Sequence, residues 1–180
     1  CGDFTEESTD AEILAFNEWL GTQTQFKHRI VIAGNHDEAL EPLSKQQVIS
    51  KYLSNATAYL HDETLVLPEY GNLVIHGSPY VPNLGKWESH MGKHDDHEFY
   101  KSYKRLNNEH WKKIPANVNI LMTHTPPYGV LDGVTKYGCH YLTSRVVPAE
   151  HDIAKAAVEQ QQLEKQYVQV EETEGFLKDL

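Results

Sequence analysis

Apolar positions recur along the chain with two different periods. Ser8-Thr9-Asp10 followed by Glu12 is a capping-box start, and Ile13, Phe16, Asn17 and Leu20 then fall on one stripe before Gly21, which predicts a first helix. Arg29-Ile30-Val31-Ile32-Ala33 is a β-branched run that breaks into Gly34-Asn35-His36-Asp37, the pattern of a buried parallel strand opening into a polar loop. Residues 45–53 predict a second helix. Residues 64–67 and 73–76 predict paired strands around the turn Pro68-Glu69-Tyr70-Gly71-Asn72. Residues 83–110 are polar and rich in His, Lys and aromatics, with a helix expected at about 99–111. Residues 117–122 form another hydrophobic strand, which also ends in a polar loop, Thr123-His124-Thr125-Pro126-Pro127. From Pro148 the chain turns to Ala, Glu, Gln and Lys, with Ile153, Ala157, Leu163, Tyr167 and Val170 spaced as on an amphipathic or exposed helix. The alternation of helix and strand predicts an α/β domain over 1–147 and a Glu/Gln-rich helical tail over 148–180.

A chain of 180 residues accommodates one such domain with a sizeable core and excludes two large ones. Acidic residues exceed basic ones by 26 to 16, a net charge of −10, and no stretch gathers Lys and Arg. Duplex nucleic acid and anionic membrane are therefore not expected as partners. The longest apolar runs, 30–33 and 118–122, fall well short of the ~20 residues of a membrane helix, so a soluble protein is expected. Two cysteines, Cys1 and Cys139, do not make a disulfide framework, and a reduced, cytoplasmic setting is expected. The chain opens on Cys1 with a motif at the next residue, which leads us to expect further sequence upstream. Gly-x-Gly-x-x-Gly, phosphate-loop and Gly-x-Ser-x-Gly patterns are absent, which removes the commonest dinucleotide, nucleoside-triphosphate and serine-hydrolase signals.

Open α/β sheets bind ligands beyond the carboxyl ends of their strands. Three segments fit such positions: Gly2-Asp3, Gly34-Asn35-His36-Asp37 and Thr123-His124. They offer a carboxylate, an amide oxygen and imidazoles, a donor set suited to Zn, Mn or Fe. An Asp at a strand end can bridge two cations, and Asn adds a neutral oxygen without quenching Lewis acidity. His36, next to Asn35, is placed to stabilise or protonate a phosphoryl oxygen. Each fragment alone has a plainer reading, as a turn or a satisfied loop histidine. Their joint order carries the weight.

That order resembles the calcineurin-like metallophosphoesterase superfamily. Gly2-Asp3-Phe4-Thr5, Phe16-Asn17-Glu18-Trp19-Leu20, Ile30 to His36, Leu121 to Pro127 and Gly138-Cys139 resemble more closely its branch of metallophosphoesterase-domain proteins related to fetal-brain protein 239. The resemblance covers residues 1 to 145 and implies a four-layer α/β/β/α sandwich with a dinuclear centre of divalent metal ions. It implies that Asp3 bridges the metals and that Asn35 and His124 ligate the second one. It further implies that His36 assists at the phosphoryl group, that Asp37 orients His36, and that a metal-bound hydroxide attacks a phosphoester in line. A small phosphodiester or phosphomonoester, cyclic nucleotides among them, is the implied substrate. The family's opening Asp-x-His and closing Gly-His-x-His are absent, the latter beyond Arg145, so the domain is expected to be incomplete at both ends. A catalytically weak or inactive binding or scaffold protein of the same fold therefore stands as the alternative.

Three features stand outside this set. His90, His94, Asp95, Asp96 and His97 form a dense donor cluster for which zinc is conceivable, although Gly92 and polar neighbours favour a solvated loop. His76-Gly77-Ser78-Pro79 is expected as a loop near the site, and Trp87 and Trp111 as core and rim.

Overall fold

The computed structural model describes residues 1–82, 99–101, 105–130, 132 and 138–146. Helix α1 (Asp10–Thr22) begins where the capping box predicts. Thr9 accepts from the Glu12 N–H, and Glu12 reaches back to the Thr9 N–H. It runs past the expected stop, because Gly21 is a point of close approach and not a left-handed cap. A Cβ there would lie 2.8 Å from Asn55 Nδ2, and Asn55 in turn donates both its backbone N–H and its side-chain amide to Asn17, 2.9 Å each. The buried Asn17 on the apolar stripe also donates its Nδ2 to the Ser54 hydroxyl at 3.2 Å, so both polar atoms of its side chain have partners. Helix α2 (Lys45–Lys51) has its own capping box, Ser44 with Gln47.

Strand β1 (Ile30–Val31) is parallel and buried as expected, and pairs with β2 (Ala58–Tyr59), a short strand whose pattern was not legible in the sequence. Val31 and Ala33 pack into a core with Ile13 and Leu20 of α1, Val48 of α2, Leu53 and Tyr59. Ile32 points the other way, onto Leu60, Leu67 and Ile75. Burial on both faces is the reason for an unbroken apolar run where a half-exposed strand would alternate. At about 1.5–3 kcal/mol for each fully buried Ile, Leu or Val, these side chains supply the main gain on folding.

The predicted strand pair is β3 (Glu63–Leu67) and β4 (Leu73–Ser78), antiparallel, turned by Pro68–Tyr70 and by the left-handed Gly71 and Asn72. β4 extends further than expected: His76–Ser78 is strand, not loop, and His76 is buried with Nδ1 2.9 Å from the Thr64 hydroxyl. Gly77 lets Ile32 and Leu60 close on β4, since a Cβ would sit 2.7 and 2.5 Å from them. On its other edge β4 pairs in parallel with β7 (Ile120–Thr123), the predicted hydrophobic strand.

The helix expected at 99–111 is not a regular one. β5 (Val81–Pro82) pairs in parallel with β6 (Tyr100–Lys101), followed by a π-helical turn, Leu106–His110, and a 3-10 turn, Trp111–Lys113. The loose apolar pattern there lacks the repeat that sustains α geometry, while Leu106 and Trp111 are both buried. The expected α/β class is met by helices and mixed parallel and antiparallel pairing.

The chain divides into two compact units, Cys1–Thr125 and Pro126–Leu180. In the second, Cys139 bridges to Pro127, and helix α3 (His140–Val146) follows, with Thr143 donating to the Tyr128 carbonyl at 3.0 Å. The donor cluster around His94, Trp87, the boundary near 147 and the 148–180 tail lie outside the described residues. No helix among the described residues is long and apolar enough to cross a membrane.

Candidate metal centre

Three loops of the first unit meet beyond the strand ends. Gly2, with φ of +82°, presses against the end of β1 so closely that a Cβ would lie 2.6 Å from the Ala33 carbonyl oxygen. Asp3 follows in a left-handed conformation, φ 52°, which Asp tolerates better than most residues. Its backbone N–H is held by Asp37 Oδ2 at 2.9 Å. Gly34 opens the next loop and is needed for space: a Cβ there would fall 2.3 Å from Asp3 Oδ1 and 2.7 Å from the His124 ring. His124 follows β7, its backbone N–H directed at the Ser78 carbonyl of β4 at 3.3 Å.

Residues 3, 35 and 124 thereby come into contact. His124 Nε2 lies 2.8 Å from Asn35 Oδ1 and 3.3 Å from Asp3 Oδ2. The other ring nitrogen, Nδ1, is 2.8 Å from the Cys1 carbonyl oxygen, which can only accept, so Nδ1 carries the hydrogen. In the neutral ring the Nε2 lone pair then faces a carboxylate and an amide oxygen, three acceptors converging with no donor among them. That convergence fits a small cation, with the tautomer fixed by a backbone carbonyl as histidine ligands commonly are. Burial works to raise the Asp3 pKa. When the His124 ring is protonated, its Nε2–H given to the carboxylate, the His36 N–H donating to Oδ1 at 2.9 Å, and the charges of both imidazoles outweigh it and hold the carboxyl below its ordinary value; a cation held by the neutral ring would take the place of that proton. The Asp3 side chain is 34% exposed and His124 16%, so the centre opens to solvent.

Asp37 differs from expectation. Its carboxylate does not orient His36 but turns inward, fully buried. It accepts from the N–H groups of Asp3 (2.9 Å), Gly34 (2.8 Å) and Thr5 (3.1 Å), and from the Thr5 hydroxyl (2.8 Å). With both oxygens saturated by donors from two loops, it clasps those loops together. Burial pushes its pKa up, and the hydrogen bonds from Gly34 and Thr5 oppose that. The His36 ring is oriented instead by the Glu6 carbonyl, 3.0 Å from Nδ1. Sequence reasoning missed Thr5, Glu6 and the Cys1 carbonyl as supports. A main-chain carbonyl leaves no residue-type signal, and Thr5 was visible only as the end of Gly2-Asp3-Phe4-Thr5.

A family model described as calcineurin-like phosphoesterase matches residues 1–157. The chain belongs to the calcineurin-like phosphoesterase family. UPF0046 protein K07C11.7 of Caenorhabditis elegans is 32% identical over 167 residues, 83% of this chain and 52% of that protein. Human metallophosphoesterase domain-containing protein 1 is 32% identical over 170 residues, 81% of this chain and 48% of its own length. UPF0046 protein C25E10.12 of Caenorhabditis elegans is 36% identical over 141 residues, 71% of this chain and 44% of that protein. The chain thus spans about half the length of these curated relatives. The family is one of metal-dependent phosphoesterases that use divalent ions, in keeping with the acceptor cluster at Asp3, Asn35 and His124.

Proposed function

We propose that this domain hydrolyses phosphoesters, phosphodiesters by preference, using a divalent cation of the Mn, Fe or Zn class held by Asp3, Asn35 and His124. The observation that carries this reading is the convergence of His124 Nε2 on Asn35 Oδ1 and Asp3 Oδ2, from three loops far apart in the chain. When bound, such an ion supplies Lewis-acid polarisation of a phosphoryl oxygen and a water of lowered pKa.

The chain's own residues do the rest. Asp3, kept ionised, contributes the negative charge, and Asn35 adds a neutral oxygen. His124 presents Nε2 because its Nδ1–H is committed to the Cys1 carbonyl. The His36 Nδ1–H is likewise committed, to Glu6, which leaves its Nε2 to hydrogen-bond a phosphoryl oxygen and, when protonated, to give that proton to the departing alkoxide. Asp37 and Thr5 keep the Asp3 and His36 loops in register. One carboxylate, one amide and one imidazole suffice for one cation.

The test is a Mn²⁺ titration followed by electron paramagnetic resonance, with hydrolysis of bis(p-nitrophenyl) phosphate measured alongside. We expect Mn²⁺ binding that His124→Ala abolishes, and diester hydrolysis that His36→Ala lowers by roughly 10²–10⁴-fold. No Mn²⁺ binding would overturn the proposal. Mn²⁺ binding without turnover would select the alternative, a phosphoesterase-fold binding module. Among the described residues no group of three or more His, Cys, Asp or Glu is arranged to hold a metal, so the Asn35 amide oxygen is the third donor on which the metal reading depends.

A further inference from the structure

Glu12 does more than close the capping box at the start of α1. That box needs one carboxylate oxygen, which Oε2 supplies to the Thr9 N–H at 2.9 Å and to the Thr9 hydroxyl at 2.8 Å. Oε1 serves residues ahead of the helix. It accepts from the Glu6 N–H at 3.0 Å and from the Glu7 N–H at 3.3 Å, the latter shared with Oε2 at the same distance. The Thr9 N–H, the Thr9 hydroxyl and the Glu6 N–H, with a smaller share from Glu7, hold the carboxyl down at about 2 against the opposing effect of desolvation. The group is therefore an ionised acceptor for all four donors at neutral pH.

The peptide unit between Glu6 and Glu7 is held at both ends. Its carbonyl oxygen lies 3.0 Å from His36 Nδ1, and its N–H is the Glu7 donor to Glu12. A trans peptide is planar, so its C=O and N–H point in opposite directions, and fixing the N–H on Glu12 aims the C=O at the imidazole. Other ties leave that plane free. Thr5 is bonded to Asp37 and to the His36 carbonyl, and Ser8, left-handed with φ of 54°, accepts from the Ala39 N–H at 2.8 Å. These bonds set how near residues 5–9 lie to residues 34–39, and none of them involves the Glu6–Glu7 peptide. We propose that Glu12 is a positioning residue for His36, an inference that rests on the proposed role of His36. By pinning the Glu6–Glu7 peptide, Glu12 selects the ring tautomer with hydrogen on Nδ1 and so keeps Nε2 as the nitrogen that takes up a proton and delivers it to the departing alkoxide.

Nitrogen-15 NMR of the histidine rings in metal-free alkaline buffer, where imidazole is neutral, tests this on the parent chain, Glu12→Ala and Thr9→Ala, with His36→Ala to assign the signals. In the parent, His36 Nδ1 resonates as a hydrogen-bearing nitrogen and Nε2 as a bare one. In Glu12→Ala the two signals move toward each other as the ring exchanges between tautomers. Thr9→Ala also weakens the helix start but leaves the carboxylate on Glu6 and Glu7, and it keeps the parent pattern. Hydrolysis of bis(p-nitrophenyl) phosphate follows the ring. In Glu12→Ala kcat falls roughly tenfold, part of what a general acid supplies, while KM and Mn²⁺ affinity stay within about twofold, and Thr9→Ala keeps the parent rate. The proposal is overturned if Glu12→Ala retains the parent ring pattern, if Thr9→Ala loses it as fully, or if Glu12→Ala weakens Mn²⁺ binding as much as it lowers kcat, the mark of a general loss of the loops. A parent chain without turnover would count against the proposed function alone, because the ring signals decide the role of Glu12 without it.

Discussion

Asp3 and Asp62 begin alike. Both hold φ in the left-handed region, at 52° and 58°, and both lie beside imidazoles. In both, burial acts to raise the pKa and is outweighed by donors, so that each carboxyl sits below its ordinary value. They differ in what already neutralises them. Asp62 Oδ2 receives Lys113 Nζ at 2.5 Å and His110 Nδ1 at 3.1 Å, and its side chain is 6% exposed. Among the described residues no lysine or arginine reaches Asp3, whose neighbours at 3.3 Å and closer are a histidine nitrogen and a backbone N–H. A resident ammonium makes Asp62 an ion-paired brace between the β2–β3 turn and the 3-10 turn at Trp111–Lys113. In the proposed function, the lack of one at Asp3 among the described residues is what leaves a cradle with room for an external cation. Residue types alone would have scored the two clusters equally, since His76 and His110 surround Asp62 as densely as His36 and His124 surround Asp3.

The largest test of this contrast removes the clasp under the candidate metal centre. Asp37→Ala removes the acceptor of two buried backbone N–H groups, those of Gly34 and Thr5, and of the part-buried Asp3 N–H, while the Thr5 hydroxyl keeps the His36 carbonyl, and we expect a loss of about 4 kcal/mol in urea unfolding after some loop relaxation. A loss below about 1 kcal/mol would mean that the two loops are held by other contacts. Next in size, Asp62→Ala should cost about 2–3 kcal/mol. The half-exposed Lys113 recovers water, whereas His110 stays buried without its partner. That variant should leave Mn²⁺ affinity unchanged. Asp3→Asn should do the reverse, changing stability by no more than about 0.5 kcal/mol and weakening Mn²⁺ at least about tenfold. Two variants that each altered both readouts would erase the distinction between brace and cradle.

The smallest expected effect is a pH dependence of the Asp62 side. Burial pushes the His76 pKa below its ordinary 6.5, Asp62 opposes this, and Lys113 adds to it. Burial lowers His61 as well. The unfolded chain therefore binds protons first as acid is added. Stability is retained above pH 6.5 and falls as pH drops from there through the folded-state values. Urea midpoints between pH 7.5 and 5.5 should decline in the parent chain and decline less in His76→Gln, and equal slopes would remove His76 from the account.

What could be read without coordinates was whatever depends on neighbours in sequence. Thr9 and Glu12 announce α1, Ile30 to Ala33 a doubly buried strand, and Gly71 and Asn72 the turn between β3 and β4, because capping, alternation and left-handed tolerance are local properties. Asp3, Asn35, His36 and His124 were legible as a set only through their order in three strand-end loops. The sequence could not distinguish Asp37 as a clasp from Asp37 as a partner of His36. The two residues are adjacent, and the choice depends on Thr5, Gly34 and the Asp3 backbone, which arrive from elsewhere in the fold. Nor could it reveal β2 or the irregular turn at Leu106–His110, since pairing depends on which strands lie side by side. The sequence alone determined which atoms were available for chemistry. Tertiary structure decided which of them are already satisfied, because a hydrogen bond or an ion pair spans only about 3 Å of space, whatever the separation along the chain.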